Sequence, residues 1–199
     1  MAFDAQVGEQ YTIRRKVFTF LGAKFHIYDP NGNVIAFCKQ KAFTLREDIR
    51  LFTDETCTKE LFVIKARNII DFSASYDVTA GEDGPTLGTF RRDGMKSVFV
   101  RDAWQLADAS GAMIAALEEE PGMWTVLRRW VDLVSLFSPQ TFTLARPGKE
   151  PLATFRVHKN PFVYRLSIAV LANDATIDDL LILAAGCLIA AIEGRQNSN

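Results

Sequence analysis

The sequence predicts a mainly β protein: an antiparallel barrel of about twelve strands enclosing an apolar C-terminal α-helix. A hairpin pattern recurs four times, strand-like runs fill much of the space between the copies, and the last apolar stretch has no polar side. At 199 residues the chain is long enough to bury a sizeable core as a single domain, placed over residues 8–196 with a short tail at 197–199.

The repeat is read directly from the residues. Phe25-His26-Ile27-Tyr28-Asp29-Pro30-Asn31-Gly32 leads into Ile35-Ala36-Phe37, and Trp104-Gln105-Leu106-Ala107-Asp108-Ala109-Ser110-Gly111 leads into Ile114-Ala115-Ala116-Leu117. Phe142-Thr143-Leu144-Ala145-Arg146-Pro147-Gly148 leads into Leu152-Ala153-Thr154-Phe155, and a longer copy runs from Tyr76-Asp77-Val78 to Leu87-Gly88-Thr89-Phe90. Each copy alternates apolar and polar residues, crosses a turn rich in Asp, Pro, Asn and Gly, and alternates again. That is a hairpin with one buried face.

Further strands are predicted at Tyr11 to Leu21, Asp48 to Thr53, Lys59 to Lys65, Ser97 to Asp102 and Val163 to Val170. No helix-length segment separates the hairpins before residue 121, which argues for antiparallel connections rather than βαβ units. Between Pro121 and Pro139, the run 123–137 places Trp124, Leu127, Val131, Val134 and Phe137 near one face, as in an amphipathic helix laid over the sheet. A last helix is predicted from about Thr176, as N-cap, through Asp178 and Asp179 in the first turn, to Gly194 as its stop.

Leu180 to Ile192 is uncharged and apolar on every side, so it needs apolar surroundings on every side. At about 1.5 Å per residue those residues cover roughly 20 Å, short of the approximately 30 Å hydrocarbon core of a bilayer. A barrel of about twelve strands is wide enough to hold a helix about 10 Å across, whereas an eight-stranded barrel fills with its own side chains. The small residues Ala184, Ala185, Gly186, Ala190 and Ala191 would keep such a helix slim.

Composition narrows the function. The net charge of -1 recommends no nucleic acid, and binding must come from local patches. Cys38, Cys57 and Cys187 form no CxxC pair and read as buried small hydrophobes in a reducing compartment. The N-terminal residues lack the basic start and apolar stretch of a signal peptide, so a cytoplasmic protein is expected. Gly81, Gly84 and Gly88 form no phosphate loop and read as turn glycines.

His26 and His158 stand far apart in sequence, the first reading as solvent-facing on a strand and the second as a strand end. Glu118, Glu119 and Glu120 read as a solvated corner, and Asp174, Asp178 and Asp179 as capping charges. No catalytic residue, metal ligand or cofactor is assigned. The basic groups Arg14-Arg15-Lys16, Lys39 with Lys41, Arg91-Arg92 with Lys96, and Arg128-Arg129 beside Trp124 and Trp130 are candidates for a phosphate-binding face. The lipid-binding residues expected from them are Arg128, Arg129, Trp130, Arg91, Arg92 and Lys96.

The order of these features, with Asn160-Pro161-Phe162 before the last strand and Ile192-Glu193-Gly194-Arg195-Gln196 closing the helix, resembles the LURP-one-related and phospholipid-scramblase group of the Tubby C-terminal-like superfamily. The resemblance implies a twelve-stranded barrel around a C-terminal helix. It implies a non-enzymatic binding module, with peripheral binding to anionic phospholipid or phosphoinositide as the leading expectation. A protein-interaction or regulatory domain without lipid affinity is the first alternative, and scramblase-like activity the second. The last requires the helix to leave the barrel, and exposing its apolar residues to water would cost on the order of 15 to 20 kcal/mol at about 25 cal/mol per Å². Oligomeric state has no signal in the sequence.

Overall fold

Strands with one apolar face must be covered or closed on themselves, and here they close. A computed structural model describes residues 3, 5–15, 23–40, 48–67, 74–92, 103–120, 140–148, 150–158 and 163–196. Its strands are β1 (Gln10–Arg15), β2 (Ala23–Tyr28), β3 (Val34–Gln40), β4 (Asp48–Phe52), β5 (Glu60–Ala66) and β6 (Ser75–Thr79), then β7 (Thr86–Arg92), β8 (Ala103–Ala107), β9 (Met113–Glu119), β10 (Gln140–Ala145), β11 (Pro151–His158) and β12 (Arg165–Val170). The helix α1 (Asp179–Gln196) follows. Each strand pairs antiparallel with its neighbour in sequence, and β1 pairs with β12, so the barrel closes without an edge.

Alternation puts a layer of apolar side chains inside. Phe25, Phe62, Phe90 and Phe155, with Ile13, Ile27, Ile49, Leu51, Ile64, Leu106, Leu117 and Leu144, are the largest fully buried residues. They surround α1, where every residue from Leu181 to Ala191 is buried. Two glycines record how closely wall and helix approach. A Cβ on Gly186 would lie 2.7 Å from Ile168 Cδ1 and 3.1 Å from Ile13 Cδ1. A Cβ on Gly88 would meet the Ala107 carbonyl oxygen at 2.8 Å and Leu181 Cδ2 at 3.2 Å, so Gly88 is a strand residue facing the helix and not a turn glycine.

The predicted repeat is a repeat in space. In the turns after β2 and β8, Gly32 N–H donates to Asp29 O and Gly111 N–H to Asp108 O, both at 3.0 Å, with φ of 84° and 88° at the glycines. The Asp side chains accept from the backbone at Asn33 (2.7 Å) and Ala112 (3.0 Å). A fifth hairpin, β4–β5, escaped prediction as a hairpin because its left-handed residue is Cys57 (φ 56°) and not a glycine. In all five hairpins the register shifts at the last residue before the turn. Hydrogen bonds hold the carboxyls of Asp29 (from the Asn33 side chain), Asp54 (Thr56) and Asp108 (Ser110) below their ordinary value. The folded state therefore binds fewer protons than the unfolded one as pH falls through the carboxylate range, and this contribution, present at neutral pH, is lost on acidification.

Several expectations are corrected. The N-cap of α1 is Asp178, whose Oδ1 accepts from Leu180 N at 2.9 Å; Thr176 instead sits in the turn before it, bonded to Asp174. The helix runs through Gly194 to Gln196. Cys57 lies partly exposed in its turn, while Cys38 of β3 and Cys187 of α1 are fully buried and hydrogen-bonded to each other, which with burial pushes the Cys38 thiol well above its usual range. Native protein treated with iodoacetamide should therefore take up label at Cys57 alone and at all three thiols after denaturation, read by intact mass. The runs 97–102 and 123–137 lie outside the described residues, and no described helix is long and apolar enough to cross a membrane.

Candidate functional site

The outer surface divides into a neutralised side and an unneutralised one. On β4–β7, Arg50 is clamped by Asp48 (2.7 and 2.9 Å), Glu60 (2.8 Å) and Glu82 (2.5 Å), and Lys65 also pairs with Glu82. Asp77 accepts from Arg67 and from Thr89 (2.8 Å). Each of these cations is paired with a carboxylate, so this side presents no unpaired cation among Arg50, Lys65 and Arg67.

The other side is built by barrel closure. On β11, β12, β1, β2 and β3 the inward residues are apolar except at the strand ends Arg15 and Gln40, so Arg156, His158, Arg165, Ser167, Arg14, Lys24, His26 and Lys39 share the outer face. The register sets Arg14 directly opposite Arg165 across the β1–β12 seam, and Lys24 directly opposite Lys39. His158 stands opposite Arg165, and Arg156 opposite Ser167. Among the described residues, no carboxylate pairs with Arg14, Lys24, Lys39, Arg156 or Arg165. Like charges opposed across a ladder destabilise a sheet, and here two such pairs have no carboxylate partner among the described residues. The five strands span roughly 20 Å.

Local contacts shape this face. Arg14 lies over the Tyr28 ring, 4.7 Å from its centroid. His158 Nε2 is 2.8 Å from Ser167 Oγ, and its pKa is held below the ordinary value by burial, then by Arg156 and Arg165. His26 points outward as expected but is not solvent-facing: its ring meets that of Phe37 at a tilt (5.3 Å between centroids, 49° between planes) and Glu55 of the β4–β5 turn at 2.7 Å, with 14% of its side chain exposed. That turn and His26 account for Phe37 being buried although it lies on the outer face, opposite His26 and Phe52.

The residues expected to bind lipid fall elsewhere. Arg91 is exposed on the outer face of β7, six strands around the barrel from β1, and Arg92 lies over Trp104 at 5.9 Å, so neither joins the face around Arg14. Lys96, Arg128, Arg129 and Trp130 lie outside the described residues. Of the basic groups singled out in the sequence, Arg14 and Lys39 do fall on this face; Arg156, His158 and Arg165 were missed as its members because they are some 140 residues or more from Arg14. The only available signal was the alternation of the first and last strands, which puts these charges outside if those strands pair.

Acids line two clefts among the described residues. One of about 540 Å³ on β8–β10 is lined by Ala103, Ala116, Ala145 and Glu118–Glu120, with Glu120 accepting from Thr143 Oγ1 at 2.5 Å. The other, at the start of α1, holds Asp174, Asp178 and Asp179, each already engaged: with Arg146 (2.8 Å), with Leu180 N and with Ala5 N (2.9 Å) respectively. Against known families, the model described as LURP-one-related matches residues 9–189. No curated protein and no solved structure matches the chain.

Proposed function

The chain belongs to the LURP-one-related family, and from that premise we propose that it is a non-enzymatic binding module that docks peripherally on anionic phospholipid through the outer face of β11–β12–β1–β2–β3. The observation that carries this reading is the pair of opposed like charges, Arg14 with Arg165 and Lys24 with Lys39, flanked by Arg156 and free of carboxylate partners among the described residues. Each Lys or Arg near an anionic leaflet contributes about 1 kcal/mol of attraction, so five of them on one rigid surface suffice for salt-sensitive membrane binding. A closed barrel around a core helix also supports kinship with Tubby C-terminal-like proteins and scramblases. Scramblase-like activity has less support, because α1 is buried along its apolar length.

Co-sedimentation with vesicles of phosphatidylcholine, with and without phosphatidylglycerol or phosphoinositide, tests the reading. Binding should require the anionic lipid, weaken at high salt, and fall to background in K24E/K39E. The R128E/R129E variant tests the alternative basic site: if that pair abolishes binding and K24E/K39E does not, the face is misassigned. Wild-type protein that binds no vesicle is instead a protein-interaction domain.

A further inference from the structure

The cationic face has one place where hydrogen-bond donors and charge converge with a titratable ring. His158 ends β11, Ser167 Oγ lies 2.8 Å from its Nε2, Arg165 stands directly opposite on β12, and Arg156 precedes it by two residues on the same side of the strand. Among the described residues, the groups around the ring are Arg165 and Ser167 from β12, Arg14 of β1 beyond Arg165, and Thr141 of β10 opposite Arg156. Beyond β10, Glu120 is engaged with Thr143. None of the Arg, Ser or Thr groups titrates near neutrality, so His158 is the titrating group within this cluster.

We propose that His158, Ser167, Arg156 and Arg165 form a discrete site for a phosphate oxyanion, and that the oxyanion binds together with a proton taken up from water by His158. This rests on the lipid-docking reading for its ligand's source but not for its chemistry, since a free oxyanion presents the same oxygens. Without a ligand the neutral ring and Ser167 share one hydrogen bond, in which either can donate. With an oxyanion between the two guanidinium groups, the ring protonates, both its nitrogens become donors, and the Ser167 hydroxyl is released to donate to the anion.

The sign follows from the surroundings. In the free protein burial and the two arginines disfavour the imidazolium, so the ring is neutral at neutral pH. A bound anion offsets the arginine charges and favours the imidazolium. Bound protein therefore holds more protons than free protein, and affinity rises as pH falls through the range where the ring titrates. Phosphatidylglycerol and inorganic sulfate, whose own charges stay constant there, are the clean probes.

The experiment measures binding to phosphatidylglycerol vesicles from about pH 8 to about pH 5 for wild type and H158Q, with NMR titration of the His158 ring in the presence and absence of sulfate. Expected are severalfold tighter vesicle binding at the acid end in wild type, a flatter profile in H158Q whatever its affinity, and a sulfate-induced rise in the pKa of His158. The comparison with H158Q removes any contribution from His26. Wild-type and H158Q profiles of equal slope, with no effect of sulfate on the ring, overturn the site while leaving lipid docking intact. A sulfate-induced rise without vesicle binding upholds the oxyanion site and overturns the lipid reading instead.

Discussion

Replacing Ala184 with Asp is expected to abolish folding. Ala184 is fully buried in α1, inside the ring of aromatic and aliphatic residues contributed by the strands. An ionised carboxylate there meets no cation and has no water to solvate it, and burying one costs several kcal/mol even after relaxation. Against a total stability of about 5 to 15 kcal/mol, with the helix as the filling of the barrel, that is enough to remove the cooperative transition. Leu183→Ala, at a neighbouring buried position, only removes volume and is expected to cost about 2 to 5 kcal/mol while leaving a folded protein. Thermal denaturation followed by circular dichroism separates the cases. An A184D variant that melts with the wild-type midpoint would show that α1 does not fill the barrel.

Arg165→Glu is expected to improve the fold while damaging docking. The substitution places a carboxylate opposite Arg14 where a guanidinium stood, turning a repulsive cross-strand pair into an attractive one. Such a change is worth about 1 kcal/mol at low salt, or a rise in Tm of about 2 to 4 °C for a chain of this size. The same reversal moves two charge units at the membrane face, weakening attraction to an anionic bilayer by about 2 kcal/mol, or about thirtyfold. Both effects should shrink together as salt rises, because both are exposed electrostatics. If R165E lowers Tm, or leaves vesicle binding intact, the opposed arginines do not have the role assigned to them.

Much of the fold is legible along the chain because its signals are local. Alternation at period two marks each strand, and Asp29-x-x-Gly32 and Asp108-x-x-Gly111 encode turns whose hydrogen bonds need no distant partner. The missed hairpin is instructive: Cys57 adopts a left-handed conformation that residue type alone would not assign to it. Asp178 takes the cap position because its carboxyl accepts from Leu180 N, whereas the Thr176 hydroxyl is already bonded to Asp174, a choice between neighbouring polar residues that residue type alone does not make.

That the chain closes a barrel around its last helix is legible in its residues, because an uncharged helix with no polar side and about twelve one-faced strands each satisfy what the other lacks. Which charges become neighbours follows from how the strands close. Closure pairs β1 with β12 and sets Arg14 against Arg165, residues at opposite ends of the chain, and the same circle puts Arg91 on the far side. Period and composition say that these side chains point outward. The register of the closing seam, a property of all twelve strands together, says what they point outward beside.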